Sequence, residues 1–154
     1  MKNKELLNKF YKGFQNGNAK EMTECYHSEI VFQDPVFGKL HGKEATKMWE
    51  MLIAKGKGNN KITFNSIQAD KETGSANWIA EYNYGEKKRK VINNVSAKFK
   101  FKDGLIIEHT DTFDLWKWTK QALGAPGYVM GWTSFMKNKI QKTTNSQLSD
   151  FMKK

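Results

Sequence analysis

A chain of 154 residues with 38% hydrophobic and 13% aromatic content is one domain long and can bury a core of its own. Its formal charge of +10 comes almost wholly from lysines spread between Lys2 and Lys154, with Arg89 the only arginine, so the bidentate donors that read phosphates and bases are missing and nucleic-acid binding is not expected. No apolar run is long enough to span a membrane, the N-terminal stretch lacks the apolar centre of a signal peptide, and Cys25 has no partner for an internal disulfide, so a cytoplasmic location is the expectation.

In chain order, Leu6, Leu7, Phe10, Tyr11 and Phe14 recur at three- and four-residue spacing and predict a first helix, ended by Gly17. Asn18, with Glu21 three residues on, caps a second short helix whose buried face is Met22, Cys25 and Tyr26. A strand follows from Glu29 to Asp34. Ile30, Phe32 and Asp34 share one of its faces, and Pro35 keeps Asp34 extended. Val36 to Gly42 reads as a turn and a short strand. A third helix carries the stripe Ala45, Met48, Trp49, Leu52 and Ile53, and dissolves at Gly56–Asn60.

After Lys61 the period changes to two. Ile62, Phe64 and Ser66 share one parity and Ile67 and Ala69 the other, which predicts a bulge. Ala76, Trp78, Ala80, Tyr82 and Tyr84 form one face of the next strand. The basic run Lys87–Lys90 reads as a solvated turn. Val91, Asn93, Val95, Ala97, Phe99 and Phe101 form one face of another strand, so Asn93 lies on the apolar side. Asp103-Gly104 is a turn pair. Beyond it Leu105, Ile107, His109, Asp111 and Phe113 share a face, with Ile106, Glu108, Thr110 and Thr112 opposite. An imidazole and a carboxylate in the middle of an apolar face predict a pocket wall, because a buried carboxylate must find a partner, neutralise or line a cavity.

The tail is helical again. Leu115 to Leu123 stops at Gly124-Ala125-Pro126-Gly127. Thr133 caps a last helix with the stripe Phe135, Met136, Ile140, Leu148, Phe151 and Met152. The polar run from Gln141 to Gln147 interrupts that stripe, so the helix is expected to pack on a partner or fray at its end. Helices first and a run of strands after predict an α+β fold in a single domain, 1–154, with a core of about 6–124 and a helical C-terminal extension of about 125–154.

Two motifs carry a family resemblance: I-V-F-Q-D-P-V-F-G from Ile30 to Gly38, and D-G-L-I-I-E-H-T-D from Asp103 to Asp111, followed by Gln121-Ala122-Leu123-Gly124. Together they resemble the nuclear transport factor 2-like superfamily, and within it the SnoaL-like polyketide cyclases and ketosteroid isomerase-like proteins. The resemblance implies a curved antiparallel sheet wrapped around the N-terminal helices as a cone, with a deep pocket and a homodimer through the outer sheet face. That face mixes Ile79, Ile92 and Ile106 with Asn77, Glu81 and Asn94. Its pocket would take a small hydrophobic or carbonyl-bearing molecule, lined by Phe10, Phe14, Phe32, Trp49, Trp78, Asn93, Phe113 and Trp132.

Asp34 matches the base of the isomerase-like motif. Independently, a carboxylate backed by Phe32 and Trp49 loses hydration, which raises its pKa toward neutrality. The competing reading has Asp34 simply bonding the backbone of its Asp-Pro turn. Ketosteroid isomerase holds its enolate with a tyrosine and a protonated aspartate. The matching positions here are Phe10 and Ala97, which have no side-chain donor. His109 and Asp111 resemble the acid/base region of the cyclase motif, and superfamily dehydratases pair an early aspartate with a late histidine, as Asp34 and His109 could; the competing reading has His109 simply bonding Asp111 or Asn93 inside the cone. His27, His41 and His109 lack ligand spacing, so neither metal nor cofactor is expected. Three functions stay open: an acid/base isomerase or cyclase, a dehydratase using Asp34 with His109, and a non-catalytic binding or assembly module.

Overall fold

The computed structural model describes residues 2–56, 58–125 and 133–154. Helices α1 (Lys2–Gln15), α2 (Ala19–Thr23) and α3 (Lys43–Gly56) precede or interrupt the first strands, β1 (Tyr26–Asp34) and β2 (Gly38–His41). Strands β3 (Lys61–Ala69), β4 (Thr73–Tyr84), β5 (Arg89–Lys102) and β6 (Leu105–Thr112) form the predicted meander, and α4 (Leu115–Leu123) and α5 (Ser134–Met152) follow. One six-stranded sheet results, in the order β2-β1-β6-β5-β4-β3. All its neighbours are antiparallel except β1 and β6, which run parallel.

Local chemistry sets the boundaries. Gly17 leaves α1 with φ of 66°, a left-handed conformation that costs glycine little. The Asn18 side chain accepts from the Glu21 amide at 3.1 Å and opens α2. This helix is shorter than expected and stops at Thr23. Cys25 is buried in the link, and Tyr26 starts β1 instead of ending a helix face. Asp103 and Gly104, with φ of 55° and 76°, make the tight β5–β6 turn.

Register shifts bend the sheet in three places: in β1 between Tyr26 and Val31, in β3 between Asn65 and Gln68, and where β5 passes from Lys100 to Phe101. The second is the predicted bulge, with Ser66 at φ 57°. The third was not foreseen, and it corrects the reading of β6. Ile106, opposite Phe101, turns inward and is fully buried, while Ile107 is only partly so. The outer sheet face therefore loses Ile106 and keeps Ile79 and Ile92, the latter 40% exposed.

The concave face packs on α1 and α3 through aromatic rings. Phe10 meets Tyr11, Trp49 and His109 edge-on and stacks on Tyr26, and Phe32 meets Trp49 and His109 edge-on. Offset and edge-on pairs of this kind add about 0.5–1.5 kcal/mol each beyond the area they bury.

Helix α5 departs from expectation. The polar run that interrupts its apolar stripe is its attachment. Gln141 Nε2 donates to the Pro35 carbonyl at 3.1 Å, Thr144 Oγ1 to that of Val36 at 2.8 Å, and Asn145 Nδ2 to that of Phe37 at 2.8 Å. Met136, Ile140, Thr144 and Leu148 form the buried side. Phe135, at 63% exposure, and Met152 point outward, because the helix turns its face to suit these three bonds.

Candidate active site

The concave sheet face, with α1, α3, α4 and α5, surrounds a hollow of about 430 Å³ whose lining is mostly apolar. Asp34, Asn93 and Asp111 reach it from β1, β5 and β6, and Tyr82 from β4. Phe14, Trp49, Trp78 and Phe113 line it. Phe10 and Phe32 do not; they lie one layer behind, fully buried against His109. Trp132 falls outside the described residues.

His109 departs from the pocket-wall reading and takes the competing one, a bond to Asp111. It is fully buried and absent from the wall of the hollow. Both ring nitrogens are engaged, Nδ1 with Tyr26 Oη at 2.7 Å and Nε2 with Asp111 Oδ1 at 2.8 Å. The direction of this chain follows from its donors. Trp49 Nε1 can only donate, and it gives its proton to Tyr26 Oη at 2.8 Å. The Tyr26 hydroxyl then donates to His109 Nδ1, which leaves Nε2–H to donate to Asp111. Trp78 Nε1 adds a second donor to Asp111 Oδ1 at 3.3 Å. The chain Trp49–Tyr26–His109 thus ends on Asp111. No hydrogen bond joins His109 to Asp34 among the described residues, because the imidazole is used up behind the wall.

Asp34 unites two readings the sequence set against each other. Its Oδ1 accepts from the amides of Val36 at 3.0 Å and Phe37 at 2.6 Å, the turn role. Its Oδ2 has no hydrogen-bond partner among the described residues, and the residue lines the hollow. Burial pushes its carboxyl from 3.8 up to about 7, against the lowering pull of the Phe37 amide; the Asp111 charge raises it further and the Val36 amide opposes. Oδ1 of Asp111 is saturated by two side-chain donors, and its Oδ2 is likewise unpartnered among the described residues.

Two groups complete the wall. Asn93, 9% exposed, has no hydrogen bond from its amide among the described residues. Tyr82 Oη accepts from Trp118 Nε1 at 2.7 Å. Trp118 comes from α4, which Asp114 caps by accepting from the Lys117 amide at 3.0 Å. Sequence reasoning placed Tyr82 on the correct strand face and missed its role, since its partner lies 36 residues away. On the far side, Lys55 of α3 donates to Gln147 of α5 at 3.3 Å. Tyr11 carries a buried hydroxyl without a partner among the described residues, outside the lining of the hollow, and nothing in the structure explains it.

A family model for the SnoaL-like domain matches residues 7–109. The chain belongs to the SnoaL-like family. Among solved structures, a protein from Jannaschia sp. CCS1 assigned as a SnoaL-like polyketide cyclase superposes with a TM-score of 0.67 at 12% identity, covering 81% of this chain and 93% of the other. An NTF2-like protein of unknown function from Burkholderia pseudomallei K96243 gives 0.67 at 11% identity, over 80% and 98%. An LEH-like epoxide hydrolase from M. tuberculosis gives 0.60 at 20% identity, over 81% and 90%. No curated protein matches the sequence. At these identities the likeness establishes the NTF2-like fold, and a cyclase and a hydrolase on one fold show that activity must be argued from the site. No helix among the described residues is long and apolar enough to cross a membrane.

Proposed function

We propose that the protein is a cofactor-independent acid/base enzyme of the isomerase or cyclase kind, acting on a small hydrophobic molecule that bears a carbonyl. One observation carries this reading. Four polar groups (Asp34 Oδ2, Asp111 Oδ2, the Asn93 amide and the Tyr82 hydroxyl) keep bonding capacity unmet while they line one mostly apolar hollow. Polar groups without a protein partner that line a mostly apolar hollow are open to it, and they mark where a ligand can make its bonds. The two carboxyls differ in a useful way. Asp34 exchanges its proton near neutrality, which suits a base for carbon acids. Asp111 is fixed in place by His109 and Trp78 and presents one free oxygen. Proteins of the same fold assigned as polyketide cyclases support the reading by analogy. His109 enters as a positioning residue for Asp111. The dehydratase reading, which needs His109 opposite Asp34, loses its geometric basis.

The test is deuterium exchange. Hydrophobic β-diketones are incubated with the protein in D2O, and incorporation is followed by mass spectrometry. Wild type accelerates exchange, and Asp34→Asn lowers the rate by about a hundredfold or more, the usual scale of a general base. Equal rates in the two proteins would leave the non-catalytic binding module as the reading, which the sealed state of His109 favours. We also propose a homodimer through the outer sheet face around Ile92. Light scattering at micromolar concentration should give twice 17.8 kDa; a monomer mass would refute the dimer.

A further inference from the structure

We propose that Tyr82 and Asn93 form the carbonyl-binding site of the hollow, with Trp118 as the positioning residue behind Tyr82, and that they supply the donors missing at Phe10 and Ala97. This rests on the acid/base reading above and assigns the substrate's oxygen a place within it.

The phenol oxygen of Tyr82 accepts and donates. Its acceptor side is occupied by the Trp118 indole N–H at 2.7 Å. Its own proton has no acceptor among the described residues, yet the residue lines the hollow. An accepted hydrogen bond polarises the O–H it feeds, so the remaining proton is a stronger donor than that of a free phenol. Trp118 itself is 2% exposed, which fixes the indole and through it the phenol. Fixed donors aimed at a developing negative charge are the largest single contribution in many active sites.

Asn93 stands beside it. In the β4–β5 register Ala80 pairs with Asn93 and Tyr82 with Val91. Tyr82 and Asn93 are therefore diagonal neighbours on the concave face, roughly 7–8 Å apart at the backbone, within reach of a common atom for a long side chain and an amide. Both lie on the strand face that the alternation turns inward. Asp34 reaches the same hollow from β1.

The step follows. Asp34 Oδ2 removes a proton from the carbon next to the substrate carbonyl. The C–H electron pair forms the new C=C bond, and the carbonyl π pair moves onto oxygen. Tyr82 O–H and Asn93 N–H donate hydrogen bonds to that oxygen. The proton on Asp34 then returns to carbon, at the same position for exchange or at another for isomerisation. No oxidant or further reactant is needed. The substrate class is an enolisable ketone or β-dicarbonyl on an apolar body.

The experiment uses 2-naphthol, an apolar ring whose oxygen stands for the enolate, and naphthalene, which lacks that oxygen. Binding of each to the full chain is measured by fluorescence at pH 8. Wild type is expected to prefer 2-naphthol by at least tenfold. Tyr82→Phe keeps the ring and should erase most of that preference while leaving naphthalene affinity within twofold. Asn93→Ala should give a smaller loss, about threefold, and serves as the second variant if Tyr82→Phe does not fold. A preference unchanged in both variants overturns the proposal, as does equal binding of the two probes by wild type. The assay involves no catalysis, so it separates the two ideas. A naphthol preference lost in Tyr82→Phe, with no deuterium exchange by wild type, would refute the enzyme and retain the carbonyl site. Exchange that depends on Asp34 but not on Tyr82 or Asn93 would do the reverse.

Discussion

Two tryptophan–tyrosine pairs make the same bond in two parts of the molecule. Trp49 donates to Tyr26 at 2.8 Å, and Trp118 donates to Tyr82 at 2.7 Å. They differ in where the phenol proton goes. The Tyr26 hydroxyl donates a hydrogen bond to His109 at 2.7 Å, and the chain ends on Asp111. Every donor there is spent, and the pair is wall. Tyr82 has no acceptor among the described residues and borders the hollow, so its pair is an unfinished network. A satisfied buried network fixes a structure, and one left a partner short holds a place for a ligand.

Removing each hydroxyl tests this contrast most severely. Tyr26→Phe strands two buried groups, the Trp49 indole and His109 Nδ1, and should cost about 2–6 kcal/mol, at about 1–3 kcal/mol for each group left unpaired. Tyr82→Phe strands only the Trp118 indole and should cost about 1–3 kcal/mol. Urea unfolding of both variants gives the two numbers. Equal losses would remove the distinction between wall and site.

The next effect in size is the pH dependence of stability. The Asp34 carboxyl is raised in the folded state from 3.8 to about 7. The protonated form is the favoured one in the fold, so the contribution is fully present below about pH 4 and is lost as pH rises to about 7. Asparagine mimics the neutral acid and keeps an oxygen for the Val36 and Phe37 amides. Asp34→Asn should match wild type in Tm near pH 4 and exceed it by roughly 5 °C at pH 8. A constant difference across that range would mean that Asp34 does not titrate there.

The smallest effect concerns α5. Thr144→Val removes the bond to the Val36 carbonyl without changing shape and should cost about 1 kcal/mol in urea unfolding. No change would show that the polar run of α5 is not its attachment.

The sequence makes the wall readable where alternation is unbroken. Val91 to Phe99 bury every second residue, so Asn93 was correctly turned inward. The same alternation turns His109 and Asp111 inward and offers their mutual bond as one reading, whereas their further partners Tyr26 and Trp78 leave no local signal. Tyr26 was read as helix, because Met22, Cys25 and Tyr26 keep helical spacing past the point where α2 stops. The parallel pairing of β1 with β6, which sets Phe32 beside His109, leaves no local signal. Asp34 was readable in both its roles because Pro35 and the apolar row before it are adjacent in sequence. The role of Tyr82 was not, since it depends on a helix reached only after β5 and β6. The polar run of α5 was misread for the same reason: its partners are backbone carbonyls about 106 residues earlier.

The account turns on Asp34 exchanging its proton near neutrality at the wall of the hollow. Carbon-13 NMR of the aspartate carboxyls against pH, in wild type and Asp34→Asn, measures this directly. The account predicts one carboxyl with a midpoint near 7 that disappears in Asp34→Asn. If every carboxyl titrated below about pH 5, in the ordinary range for aspartate, or if the neutral midpoint survived the substitution, the central claim would be contradicted.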